Sequence, residues 1–216
     1  MIYLIIADSN NLKGDCHSTW QPHNLLSTDL KEYINKGKNE SVKAERTLAY
    51  STLLLSLEKF FSVKNPTIIR NENGKPYVKD GSVFISISHC DGVAAVALSD
   101  EEEIGVDIQS MPDEEKAERL SKRFLSETLI RQDKAEIKYF TLSLIDGEYR
   151  FNEISLMLES ENNFLSKWVY SESVIKAFGT SFADISNITE LSEKTATRIV
   201  GYKSFKIAAT IVIKKA

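Results

Sequence analysis

The residues from Phe84 to Leu98, followed after a short charged turn by Ile104-Gly-Val-Asp-Ile-Gln109, constrain the fold more than any other stretch. The first part alternates, so Phe84, Ser86 and Ser88 share one face of a strand and Ile85, Ile87 and His89 the other. Cys90-Asp91-Gly92 breaks the run, and Val93 to Leu98 is apolar enough for a buried strand. Ser99 to Glu103 reads as a solvated charged turn. Ile104 to Ile108 is a third strand, apolar apart from Asp107. Packing alone does not call for Ser-His at the end of one strand and a carboxylate in the next. Polar groups set on rigid strands in this way mark a site.

The flanking sequence supplies the rest of an α+β domain. Residues 2–7 form a first buried strand, and residues 8–24 are polar and irregular. Leu26 to Ile34 is a short helix capped by Ser27 or Thr28. Glu40 to Phe61 is the clearest helix: Val42, Leu48, Leu53, Leu57 and Phe60 build its apolar face, and Lys43, Glu45, Arg46 and Glu58 lie on its polar side. Thr67 to Arg70 is a short strand, Asn71 to Pro76 a turn around Asn73-Gly74, and Tyr77-Val78 an extended piece. Pro112 opens a helix through about Arg123, and Ser126 to Gln132 forms another. Ile137 to Leu144 and Tyr149 to Met157 flank Asp146-Gly147, a hairpin signal. Asn163 to Phe178 is a helix closed by Gly179, and Arg198–Tyr202 and Phe205–Lys214 are a last pair of strands. The second half therefore loosely repeats the first, and Val93-Ala-Ala-Val-Ala-Leu98 even resembles Ile207-Ala-Ala-Thr-Ile-Val212.

The totals narrow the classes. At 216 residues the chain can bury a substantial core. A net charge of −4 gives no general attraction to nucleic acid or to an anionic membrane surface. Two cysteines, Cys16 and Cys90, indicate a reducing compartment. The apolar start has no basic region or cleavage pattern, and no run reaches the roughly 18 apolar residues of a membrane helix, so a cytoplasmic location is expected.

A second constellation lies in the late helix. Trp168, Glu172 and Lys176 are spaced i, i+4, i+8 and so share one stripe. Alone, Glu172 and Lys176 are an ordinary helical ion pair worth little. If the stripe faces Asp107, two carboxylates and one ammonium converge, which suits Mg²⁺ and a phosphate. Gln109 shares the face of Asp107 and offers a neutral carbonyl oxygen. His89 alone would be an ordinary hydrogen-bonded histidine, and Lys75 and Arg46 alone would be solvated cations.

Gly74-Lys75-Pro76, Phe84-Ile-Ser-Ile-Ser-His89, Ile104-Gly-Val-Asp-Ile108 and Trp168-x-x-x-Glu172-x-x-x-Lys176 stand in the order of the 4′-phosphopantetheinyl transferases. Over about residues 40–212 the chain resembles the larger, monomeric Sfp-type branch of that family. Lys122-Arg-Phe-Leu125 with Glu127 is similar to its Arg-Phe-Phe segment. The resemblance implies two similar α/β halves related by a pseudo-two-fold, residues 1–103 and 104–216, with the active site in the cleft between them. It implies transfer of the phosphopantetheine arm of coenzyme A to a serine of an apo acyl or peptidyl carrier protein, releasing 3′,5′-ADP. Asp107 and Glu172 would hold Mg²⁺, with Gln109 joining through its carbonyl or a water. Glu172 would take the serine proton, and Lys176 would contact the pyrophosphate. Ser88 and His89 would contact coenzyme A phosphates, Lys75 would sit near the adenine and 3′-phosphate, and Arg46 would meet the 3′-phosphate.

Three positions depart from that pattern. Gln109 stands where many members have Glu, Ser171 replaces a Lys or Arg, and the span from Phe124 to Trp168 is long. The first predicts weaker Mg²⁺ binding; the last allows the hairpin around Asp146-Gly147 two roles, an insertion at the cleft edge that sets the choice of carrier protein or an element that merely packs. The competing readings are a non-catalytic relative that binds coenzyme A or a carrier protein, and a zinc module of Cys16-His17 with His89-Cys90. Adjacent Cys-His pairs lack the usual zinc-ligand spacing. No G-x-x-x-x-G-K-[ST] or G-x-G-x-x-G loop occurs, which closes the common nucleotide-loop routes.

Overall fold

The computed structural model describes residues 1–12, 25–110, 130, 132, 136–159, 163–181 and 188–213. In chain order the elements are β1 (Ile2–Asp8), a 3-10 turn (Ser9–Leu12), α1 (Thr28–Asn35), α2 (Glu40–Phe61), β2 (Ile68–Arg70), β3 (Pro76–Val78), β4 (Phe84–Cys90), β5 (Val93–Ser99) and β6 (Ile104–Ser110). There follow β7 (Ile137–Ile145), β8 (Glu148–Ile154), α3 (Phe164–Phe178), α4 (Ile188–Ser192), β9 (Thr195–Tyr202) and β10 (Phe205–Val212). The fold is α+β. The helices expected over 112–132 and the segment Lys122–Leu125 lie outside the described residues, except that Ile130 and Gln132 are described and are in no helix.

Local chemistry sets the helix limits. Ser27, Asn39 and Asn163 cap α1, α2 and α3, each accepting a backbone N–H three residues on. Gly179 ends α3 in the left-handed region at φ 65°, and the Thr180 N–H reaches back to Ile175 O at 3.2 Å. Asp146 and Gly147, at φ 52° and 79°, supply the two positive φ angles of a tight hairpin turn between β7 and β8.

The strands form a five-stranded sheet in the order β4-β5-β1-β7-β8, a three-stranded sheet in the order β6-β10-β9, and the small β2-β3 ribbon. One core lies between α2 with α1 and the five-stranded sheet, through Leu48, Leu53, Leu57, Ile85 and Val96. A second lies between the two large sheets, where Leu4, Ile6 and Ala95 meet Val106, Ile108 and Ile207. A third lies under α3, through Val169, Val174, Ile199 and Ala208. The layers therefore run helix, sheet, sheet, helix. Both large sheets share one wiring. In the first, β1, α2, β4 and β5 follow in sequence and β5 lies antiparallel to β1; in the second, β6, α3, β9 and β10 follow and β10 lies antiparallel to β6.

The β7–β8 hairpin, from the second half of the chain, joins the first sheet. β7 runs parallel to β1 with Ile2 opposite Ile137. Pairing with the side of β1 that β5 leaves open places the hairpin on the far edge of the sheet from β4. The hairpin therefore does not form the cleft edge that its position in the sequence suggests.

Candidate active site

The site forms where β4 and β6 lie side by side, each an edge strand of its own sheet. Side chains bridge them. Val106 N donates to Ser86 Oγ at 3.0 Å, Ser88 Oγ donates to Asp107 Oδ1 at 2.8 Å, and Cys90 Sγ lies 3.6 Å from Ser110 Oγ. The alternation read from the sequence holds: Ser86 and Ser88 turn to β6, and Ile85 and Ile87 pack under α2.

β6 carries Asp107 up to α3. A Cβ on Gly105 would lie 2.0 Å from Ser173 O and 2.3 Å from Ala177 N, so the two backbones approach as only glycine allows. Lys176, one turn past Glu172, reaches Asp107 Oδ1 at 2.6 Å and Ser88 Oγ at 3.1 Å. Asp107 is 5% exposed, and its second oxygen, Oδ2, is buried without a partner among the described residues. Burial pushes the Glu172 carboxyl up; Lys176 opposes the shift and the Asp107 charge adds to it. Burial alone would lower the Lys176 ammonium, but the Asp107 and Glu172 carboxylates outweigh it and hold it above its usual value.

These groups open into a cleft of about 460 Å³. Every residue expected at the site lines it: Arg46, Lys75, Ser88, His89, Asp107, Gln109, Glu172 and Lys176. Trp168 lines it too, with Phe164 beside its ring at 6.0 Å. Their surroundings differ from the solvated settings read from single residues. The Lys75 ammonium is taken up by Glu103 at 2.5 Å and by Ala177 O at 2.8 Å, so Glu103 is not merely a solvated turn residue. His89 Nδ1 meets Glu45 Oε2 at 2.8 Å.

Other residues carried no sequence motif. Tyr33 and Tyr50 line one end of the cleft. Arg46 lies 4.7 Å over the Tyr33 ring, and Arg70 lies 3.4 Å over it and donates to the Tyr50 hydroxyl at 2.7 Å. Among the described residues neither arginine has a carboxylate partner. Burial pushes the Tyr50 phenol up to about 12 despite Arg70. Asn71 and Asn73 each donate to Gly179 O at 3.0 Å and, with Lys75, cap the C-terminal carbonyls of α3. The residue types alone offered a hint here, since Asn-Gly and neighbouring Asn side chains favour turns and helix ends.

The donor set suits a hard divalent cation. It offers an unpartnered carboxylate oxygen on Asp107, the Glu172 carboxylate and the Gln109 carbonyl, all oxygen. Of the proposed zinc ligands, Cys16 and His17 lie outside the described residues. No helix among the described residues is long and apolar enough to cross a membrane. A scan against protein-family models finds no match, and a search of the curated proteins finds none either.

Proposed function

We propose that the chain is a 4′-phosphopantetheinyl transferase, moving the phosphopantetheine arm of coenzyme A to a serine of an apo acyl or peptidyl carrier protein. The observation that carries this reading is the meeting of Ser88, Asp107 and Lys176 within hydrogen-bond distance, with Glu172 one turn away in the same cleft. The shared wiring of the two sheets supports the pseudo-two-fold that the reading implies, with the site where the halves meet.

Asp107 and Glu172, with Gln109, would hold Mg²⁺, which would offset negative charge on the pyrophosphate. The chain's own groups account for the rest. Glu172 accepts the proton of the serine hydroxyl. The serine oxygen forms a bond to the phosphorus bearing the pantetheine arm. The bond from that phosphorus to the oxygen of the leaving 3′,5′-ADP breaks, and the electron pair leaves with that oxygen. Lys176 offsets the charge gathering there. Arg46, which lines the cleft and has no carboxylate partner among the described residues, suits the phosphate end of the ligand.

The test is the intact mass of an apo carrier protein after incubation with the chain, coenzyme A and Mg²⁺. The expected result is a gain of one phosphopantetheine with wild type and none with Glu172→Ala. Coenzyme A binding without transfer to several carrier proteins would favour a non-catalytic binding protein. No binding of coenzyme A would overturn the family reading.

A further inference from the structure

Glu45 stands on the side of α2 that the sequence pattern assigns to solvent, yet it is only 17% exposed and its Oε2 lies 2.8 Å from His89 Nδ1. A carboxylate has no proton to give, so Nδ1 is the donor. His89 lines the cleft, whereas Glu45 borders a separate hollow behind it with Ser41 and Asp91. The imidazole stands between the two. One nitrogen is committed to the carboxylate, and Nε2 is left for whatever the cleft binds. The next strand residue back, Ser88, is already tied to Asp107 and Lys176. The orientation of the ring therefore sets where a ligand phosphate oxygen sits relative to those groups.

We propose that Glu45 is a positioning residue. It holds His89 through its Nδ1–H and turns Nε2 to face the phosphate of the bound ligand. A carboxylate behind a histidine fixes both tautomer and ring angle, as it does for metal-bound histidines. In the complex the ring carries a proton on each nitrogen and bridges two acceptors, Nδ1–H donating to the Glu45 carboxylate and Nε2–H to a phosphate oxygen. The identity of the ligand rests on the transferase reading; the orientation of the ring does not.

Nitrogen NMR of the histidine rings separates the two. The chain has three histidines, so His89→Gln assigns the His89 signals by difference. Wild type is expected to show a protonated Nδ1 on His89. Glu45→Ala should release the ring to the Nε2–H tautomer. Glu45→Gln, whose amide oxygen still accepts, should keep the wild-type pattern and also serves if the alanine variant folds poorly. An unprotonated Nδ1 in wild type, or an identical pattern in wild type and Glu45→Ala, overturns the proposal. In titrations with coenzyme A, Glu45→Ala and His89→Ala should each weaken binding by about five- to tenfold, and the double variant no further. Additive losses would mean that Glu45 does not act through His89, and would overturn it. If wild type binds no coenzyme A, the transferase reading falls and the ring signals alone decide the role of Glu45.

Discussion

Gly105→Ala is the sharpest test of how the fold builds the site. The added Cβ would meet Ser173 O at 2.0 Å and Ala177 N at 2.3 Å, both backbone atoms that no rotamer can clear. Restoring ordinary contact at about 3.4 Å requires α3 to rise by about 1.1–1.4 Å over β6. A rise of that size takes the Lys176–Asp107 contact from 2.6 Å to about 4 Å, past the hydrogen-bond limit. Overpacking of this kind costs about 1–3 kcal/mol. In a chain of this length that lowers Tm by about 2–12 °C. Displacing a catalytic group by about 1 Å costs transfer about a hundredfold. Thermal unfolding gives the first quantity and intact-mass kinetics on an apo carrier protein the second. Ile104→Val is the control. It trims the fully buried neighbour that faces the other way, costs about 0.5–1.5 kcal/mol, and should leave transfer near wild type. An unchanged Tm in Gly105→Ala would refute the close approach. A destabilised variant with full transfer would refute the link between the height of α3 and the chemistry.

Four further outcomes are expected. Glu172→Gln should lower transfer by about 10²–10⁴-fold while coenzyme A still binds, measured by single-turnover kinetics and calorimetry; retained transfer would remove Glu172 from the proton step. Gln109→Glu should lower the Mg²⁺ concentration needed for half-maximal transfer, and an unchanged requirement would mean that residue 109 lies outside the metal shell. Lys75→Met should speed amide exchange in the last turn of α3, because it removes both the Glu103 pair and the donor to Ala177 O; unaltered exchange would show that the strut bears no load. Burial alone would raise the Asp8 carboxyl, but Lys203 and the Asn10 N–H hold it below its usual value, so its stabilisation is present above the ordinary pKa of about 3.9 and fades as pH falls through the lowered folded value. Asp8→Asn should then lower the urea midpoint at neutral pH and converge with wild type in acid, whereas a gap constant with pH would show that charge is not the cause.

The elements with strong local signals were legible in the sequence. The helix Glu40–Phe61 ends where its pattern ends, Gly179 closes α3, and Asp146-Gly147 turns a hairpin, because capping and turn chemistry act within a few residues. The site residues were legible because Ser88, Asp107, Glu172 and Lys176 break apolar or periodic patterns. Glu45 and Glu103 were not, since a polar residue on a polar face reads as solvated until the partner across the gap is known. His89 and Lys75 are those partners, 44 and 28 residues away. The pairing of β1 with β7 was equally hidden. It joins residues 135 positions apart, 137 minus 2, and an apolar strand does not encode its neighbour. The stacking of Arg70 on Tyr33 escaped for the same reason.

Where β4 runs beside β6, side chains do what a backbone ladder does elsewhere. A ladder holds strands about 4.7–4.9 Å apart whatever their side chains. Here the spacing follows the reach of Ser86 and Ser88, each a single hydroxyl on a one-carbon stem. Both also line the cleft, so a change of side-chain length at either position acts on the seam and the cleft together and removes no backbone pairing within either sheet. The breadth of ligands admitted is thus a matter of tailoring at a seam, separable from the cloth on either side.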